Sequence, residues 1–162
     1  MGFVIVGPST KSAKVTRVSG DGSATFVWGA DGKTVVGQGP DGSVRTHDLD
    51  GSLLRTFTAI GDLTGTDAAH TALGTVLSTT CPAAAREICF WDATTGVQKG
   101  TVRLPGNSVF NGWLDRRHVM ATVTEGSTTK VMMLDLNGRA VRTLAEGPTA
   151  EFRDVSLHLT RR

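Results

Sequence analysis

Any chemistry in this sequence has to come from a short list of side chains. Two cysteines, Cys81 and Cys89, stand eight residues apart in TTCPAAAREICFW (79–91). That spacing can lie either side of a hairpin loop, across which a disulfide forms when the Cα atoms are about 4.4–6.8 Å apart. The alternative is a pair of free thiols. A zinc site would want two more ligands close by. The histidines, His47, His70, His118 and His158, are separated by 23, 48 and 40 residues and form no His-x-x-x-His pattern. They read first as strand or loop residues, with His47 and His70 the best placed to act as ligands or partner contacts. Asp48, Asp92 and Asp135 recur at near-equal steps, each just before a turn. An aspartate there accepts backbone N–H groups and closes the turn, which is structure rather than catalysis. The Asp-x-Asp-x-Asp spacing of a calcium loop is missing. So are Gly-x-x-x-x-Gly-Lys-Ser/Thr and Gly-x-Ser-x-Gly, which would mark phosphate binding and a nucleophile elbow. No catalytic residue, metal or cofactor is therefore assigned. Trp91 and the turn residues Arg116, Arg117 and His118 join His47 and His70 as candidate contacts for a ligand or partner.

Bulk properties exclude some partners. A formal net charge of +2, with no Lys/Arg run interleaved with aromatics, gives no basis for nucleic-acid binding. The apolar runs are too short for a membrane-crossing helix, so no membrane insertion is expected. Residues 1–14 lack the charged and apolar regions of a signal peptide. That points to the cytoplasm, whereas a disulfide, or a sequence truncated at its N-terminus, points outside it. Abundant Ala, Gly, Thr, Arg and Val point to a GC-rich bacterial genome.

The elements that must position these residues are strands. Residues 25–59 hold four β-like runs cut apart by Asp31-Gly32, Asp41-Gly42 and Asp50-Gly51. Asp-Gly between apolar runs signals hairpins, and a two-residue type I′ turn with positive φ at both central positions is the expected form. The best helical stretch is PAAARE (82–87), enough for one turn of helix or a loop. The pattern then repeats. Val35, Val76 and Val119 lie 41 and 43 residues apart, and Asp48, Asp92 and Asp135 lie 44 and 43 apart. Each Asp is followed by a turn, at Asp50-Gly51, Thr95-Gly96 and Asn137-Gly138, and then by a closing run, SLLRTF, VQKGTV or RAVRTL. Four strands at a period near 43 are the pattern of a β-propeller blade.

These residues also carry a resemblance. Phe26-Val27-Trp28, Ala30-Asp31-Gly32-Lys33-Thr34-Val35, His47-Asp48-Leu49-Asp50-Gly51 and Leu54-Arg55-Thr56-Phe57 together resemble the WD40-like propeller repeat of the TolB type. That repeat has an aromatic, a Ser-Pro-Asp-Gly-Lys turn, an apolar strand, then Asp-Leu-x-Gly and an Arg-x-Leu strand. Gly29-Ala30 departs from it where Ser-Pro is usual. The third unit keeps Trp113-Leu114-Asp115 and Asp135-Leu136-Asn137-Gly138, and the second mainly Trp91-Asp92 and Thr95-Gly96. The resemblance implies an all-β propeller of four-stranded antiparallel blades. In such a fold Trp28, Trp91 and Trp113 are expected in the core or between blades, the alternative being a Trp exposed at a mouth of the ring to hold a ligand. The resemblance implies little about function, because such propellers serve many roles.

The expected organisation is a single propeller domain or propeller fragment over residues 1–162. Full units cover roughly 24–59, 66–105 and 108–146, and partial blades 3–18 and 150–160. Closure into a ring would need a longer polypeptide, a mixed fourth blade, or a homo-oligomer in which two copies complete the ring. The functional expectation is a non-enzymatic module that binds or scaffolds a protein or other ligand. The alternative is the propeller part of a bacterial hydrolase or peptidase, or a propeller enzyme with its site at the central axis.

Overall fold

The computed structural model describes residues 2–6, 13–17, 25–65 and 68–152. Within them the polypeptide is built of strands. β1 (Gly2–Val6) and β2 (Ala13–Arg17) form an antiparallel pair. Three four-stranded antiparallel sheets follow, each a simple meander. The first comprises β3 (Thr25–Trp28), β4 (Thr34–Gln38), β5 (Val44–Asp48) and β6 (Leu53–Phe57). The second comprises β7 (Ala69–His70), β8 (Val76–Cys81), β9 (Ala84–Asp92) and β10 (Gln98–Arg103). The third comprises β11 (Ser108–Trp113), β12 (His118–Glu125), β13 (Thr128–Asp135) and β14 (Ala140–Pro148). One helical turn, α1 (Thr149–Phe152), follows where the sequence pattern predicts a further strand. The rest of that expected strand, and His158 with it, lies outside the described residues.

The sheets are blades, because they stack face to face. β8 shows this most directly. Strand residues alternate between faces, yet Val76, Leu77, Ser78 and Thr79 are all buried. Val76 belongs to a core cluster with Trp113, Val119, Ala121 and Leu134 of the third blade. Leu77 belongs to another with Val27, Val36, Val44 and Phe57 of the first. The second blade is therefore sandwiched, and the fold is an all-β propeller architecture of stacked four-stranded blades. Trp113 is the largest side group in the boundary between the second and third blades and is fully buried. Its Nε1–H donates to Ser78 Oγ at 2.8 Å, and its ring lies 4.9 Å from that of His70, nearly parallel at 4°, and 4.6 Å from Phe90.

The repeated aspartates close turns as expected. Asp48 Oδ1 accepts N–H groups from Asp50 and Ser52 at 2.9 Å each, and Asp92 Oδ1 from Thr94 and Thr95 at 2.9 and 2.7 Å. Asp135 Oδ1 accepts from Asn137 and Arg139 at 2.8 and 2.9 Å. The turn type differs from the type I′ expectation. Around Asp41-Gly42 the loop has three residues, closed by Gly39 N–H to Ser43 O at 2.8 Å and Gly42 N–H to Gly39 O at 3.0 Å. Only the glycine takes positive φ, 74° at Gly42 and likewise 88° at Gly51. This is the type I turn followed by a left-handed residue, and it leaves the Asp backbone in an ordinary region while its carboxylate caps the turn. PAAARE is also corrected: Pro82-Ala83 is a tight turn and Ala84 onwards is β9, whose Arg86 carbonyl accepts Leu104 N–H at 2.9 Å. Sheet pairing outweighs the local helix propensity of a run too short to hold a helix.

Two measurements check these interactions. Trp113→Ala should lower stability by roughly 3–5 kcal/mol in urea denaturation, and Trp113→Phe by about 1–3 kcal/mol, because Ser78 Oγ is then left buried without its partner; a Trp113→Phe variant as stable as the unmodified protein would remove the hydrogen bond from the account. The second concerns pH. Hydrogen bonds from the Ser43 hydroxyl and N–H hold Asp41 down at about 2, and those from the Thr95 and Thr94 N–H groups hold Asp92 at about 2, against an ordinary 3.8. Both carboxylates are stabilised as anions in the folded state. Their contribution is complete above about pH 4 and is lost as pH falls through about 2. The urea midpoint should therefore drop from pH 5 to pH 2, and the double variant Asp41→Asn/Asp92→Asn should show a shallower drop from a lower starting point.

Candidate binding cleft between the first two blades

The residues singled out by type are not brought together. His47 is buried on β5 and His70 on β7, where its Nδ1 accepts Ala72 N–H at 2.9 Å and its ring stacks on Trp113. Trp91 faces the first blade, and its Nε1–H donates to Thr79 Oγ1 at 2.8 Å, while that hydroxyl donates to Ile60 O. Arg116 and Arg117 are exposed in the β11–β12 turn. Beside them His118 Nδ1 lies 2.8 Å from Asp115 Oδ2. The hydrogen bond with His118, then that from Arg117 N–H, holds the Asp115 carboxyl below its ordinary range. Among the described residues no group of three His, Cys, Asp or Glu residues could hold a metal ion.

Cys81 and Cys89 form a disulfide across the β8–β9 hairpin, with Cα atoms 5.0 Å apart. The pair is not directly opposite in the sheet: Cys89 faces Thr79, and a bulge between Thr80 and Cys81 brings the two cysteines together. Both are buried, at 8% and 3% exposure. Beside them an open trough of about 550 Å³ is lined by Gly61, Asp62 and residues 80–85. Its polar side groups are already engaged: Asp62 Oδ1 accepts from Gln38 Nε2 at 2.6 Å and Thr80 Oγ1 from Asp62 N–H at 3.2 Å.

A second hollow has a different character. Between the first and second blades lies a cleft of about 310 Å³. One wall is a cross-strand row on the first blade, Val36, Thr46 and Arg55, in which Val36 pairs with Thr46 and Thr46 with Arg55. The opposite wall is Ala69 and Leu77, themselves cross-strand partners, with Thr75, Ala93 and Thr94. The β3–β4 turn closes one end with Gly29, Ala30 and Asp31. The cleft exists because small residues, Gly29, Ala30, Ala69 and Ala93, stand on both sides of it. Asp31 Oδ1 is occupied by the N–H groups of Lys33 and Thr34 at 2.9 and 3.0 Å and by the Thr34 hydroxyl at 2.8 Å. Thr46 is only 8% exposed, and among the described residues its hydroxyl has no hydrogen-bond partner. Arg55 makes no ion pair among the described residues; its guanidinium carbon lies 6.0 Å from the centre of the Phe57 ring on the same strand face. Neither Thr46 nor Arg55 stood out in the sequence, where Arg-Thr in both SLLRTF and RAVRTL reads as a repeat feature.

The class that the fold defines is the β-propeller, with its candidate site at a blade boundary. No protein-family model matches the sequence, and no curated protein matches it. Among solved structures it is similar to the Cps50 (Swd1) β-propeller domain of Myceliophteria thermophila, with 15% identity, coverage of 79% of this chain and 39% of that one, and a TM-score of 0.44. It is also similar to BamB from Moraxella catarrhalis, with 16% identity, coverage of 82% of this chain and 54% of that one, and a TM-score of 0.33. The protein thus spans about half or less of the length of these structures.

The disulfide yields a direct test. Closing so short a loop stabilises by about 2–3 kcal/mol in the chain-entropy model. Under non-reducing denaturing conditions a thiol reagent should label neither cysteine, and Cys81→Ala/Cys89→Ala should lower the urea midpoint by an amount in that range. Two labelled thiols in the unreduced, unfolded protein would remove the bond.

Proposed function

We propose that this protein is a non-enzymatic propeller module that binds a partner protein, and that the cleft between its first two blades is part of the contact surface. The observation that carries this reading is the placement, on one wall of that cleft, of Arg55 directly opposite Thr46 on the neighbouring strand, so that a guanidinium and a hydroxyl line the same hollow. The Thr46 hydroxyl is open to the cleft rather than sealed without a partner, so a ligand acceptor placed there can take its hydrogen bond in place of water. The cleft lies at the lower end of the roughly 300–1,000 Å³ of ligand sites, which suits one side group or terminus of a partner better than a large cofactor. The exposed Arg116-Arg117 turn on the third blade is a second surface open to a partner. The buried disulfide supports an oxidising compartment for this encounter.

Site-specific photocrosslinking tests the assignment. A photoreactive residue at Thr94, on the cleft rim, should yield a defined crosslinked protein in cells making this propeller, and the same probe at Val109, exposed on the third blade, should not. Ala93→Phe, which fills the cleft, should abolish the Thr94 product with the circular dichroism spectrum unchanged. A product obtained only from Arg116, or one from Thr94 that survives cleft filling, would move the contact away from this boundary.

A further inference from the structure

The donors in the cleft specify more than a contact. We infer that the cleft between the first two blades is a carboxylate-binding site, with Arg55 and Thr46 as its anchoring pair; this rests on the reading of the cleft as a binding surface. Thr46 and Arg55 are direct cross-strand partners on β5 and β6 and line the same wall. Opposite residues of an antiparallel pair have Cβ atoms about 4.5–5.5 Å apart, so a hydroxyl and a guanidinium placed there can serve one ligand group together. A guanidinium offers forked N–H donors that fit a carboxylate, and a threonine hydroxyl adds one more.

The surroundings favour binding there. Arg55 has no carboxylate among the described residues to compete with a ligand, and the Phe57 ring two residues on lies beside its guanidinium. The rest of the row and the facing wall are apolar: Val36, Leu77 and Ala69. They would take the aliphatic body that carries the carboxylate. Asp31, at the turn end of the cleft, disfavours an anion beside it, which leaves the Arg55 and Thr46 wall as the place for a carboxylate and no room for a second one at the turn. The ligand is therefore a single carboxylate on a short aliphatic body. In a partner protein this is either a free C-terminus or an isolated acidic residue.

Three N-acetylated tripeptides separate these sources by titration against the intact protein, followed by its amide NMR resonances. They are Gly-Ala-Val with a free C-terminus, the same peptide amidated, and Gly-Glu-Val amidated. A C-terminal reader should show saturable shifts at Thr46, Arg55, Thr75 and Thr94 with the first peptide only. A reader of acidic residues should show them with the third only. Arg55→Ala should weaken binding at least about tenfold, Arg55→Lys less, and Thr46→Val several-fold. Both positions are tested with thermal unfolding unchanged, since Arg55 is exposed and Thr46→Val keeps the side-chain volume. Saturable binding of the neutral peptide, no binding of either acidic one, or binding indifferent to Arg55→Ala would overturn the inference. The Thr94 crosslink read in the Arg55→Ala background distinguishes the two levels: a product that persists there sinks the carboxylate site and leaves the binding surface standing, whereas a product missing from the unmodified protein sinks the binding surface itself.

Discussion

The indole of Trp113 lies wholly in the boundary between two sheets, with its N–H on Ser78 and its ring between His70 and Phe90. Every partner in that arrangement belongs to the second blade, while the tryptophan comes from the third. A four-stranded twisted sheet with apolar residues on both faces cannot be buried by itself, and stacking is the way each face leaves water. The second blade shows the consequence. The β8 residues Val76 to Thr79 are buried regardless of which face they point to. Val76 and Ser78 serve one neighbour, Leu77 and Thr79 the other.

The two boundaries of that blade are packed differently, and the candidate site follows from the difference. On the side of the third blade an aromatic cluster fills the space. On the side of the first blade, Trp91 is drawn to Thr79, and small residues line the region near the β3–β4 turn. Interiors are normally filled to close packing, so an opening of this size at a boundary is a local exception. The exception coincides with the cross-strand pair Thr46 and Arg55, whose hydroxyl and guanidinium line the opening. Elsewhere the polar groups at strand ends are used internally. The aspartates of the turns spend their acceptor capacity on backbone N–H groups, which is why a residue type often associated with catalysis acts here as a structural cap.

Much of the architecture was legible in the residues. The recurring Asp before each turn, the Val of each second strand and the closing Arg-Thr run follow from side-chain alternation and turn chemistry, both local properties. The places where local reasoning failed are equally instructive. The turns at Asp41-Gly42 and Asp50-Gly51 adopt the three-residue form, in which the carboxylates of Asp41 and Asp48 accept backbone N–H groups and only the glycine takes the left-handed region. PAAARE becomes strand because β8 and β10 flank it with pairing partners. The site itself was not legible. Thr46 and Arg55 are ordinary strand residues in the sequence, and it is register, with Thr46 opposite Arg55, that makes them a pair.

By itself the sequence determined that the polypeptide folds as repeated four-stranded meanders, and where the Asp-marked turns fall, because alternation, Gly placement and Asp capping act over a few residues. It also limited the cysteines to two outcomes, a hairpin crosslink or free thiols. The tertiary structure alone decided that Cys81 and Cys89 meet through a bulge, that His47 and His70 lie buried, and that a cleft opens between the first two blades. Those outcomes depend on how one sheet packs on the next. Packing sums the volumes of residues distant in sequence, and no local pattern records that sum.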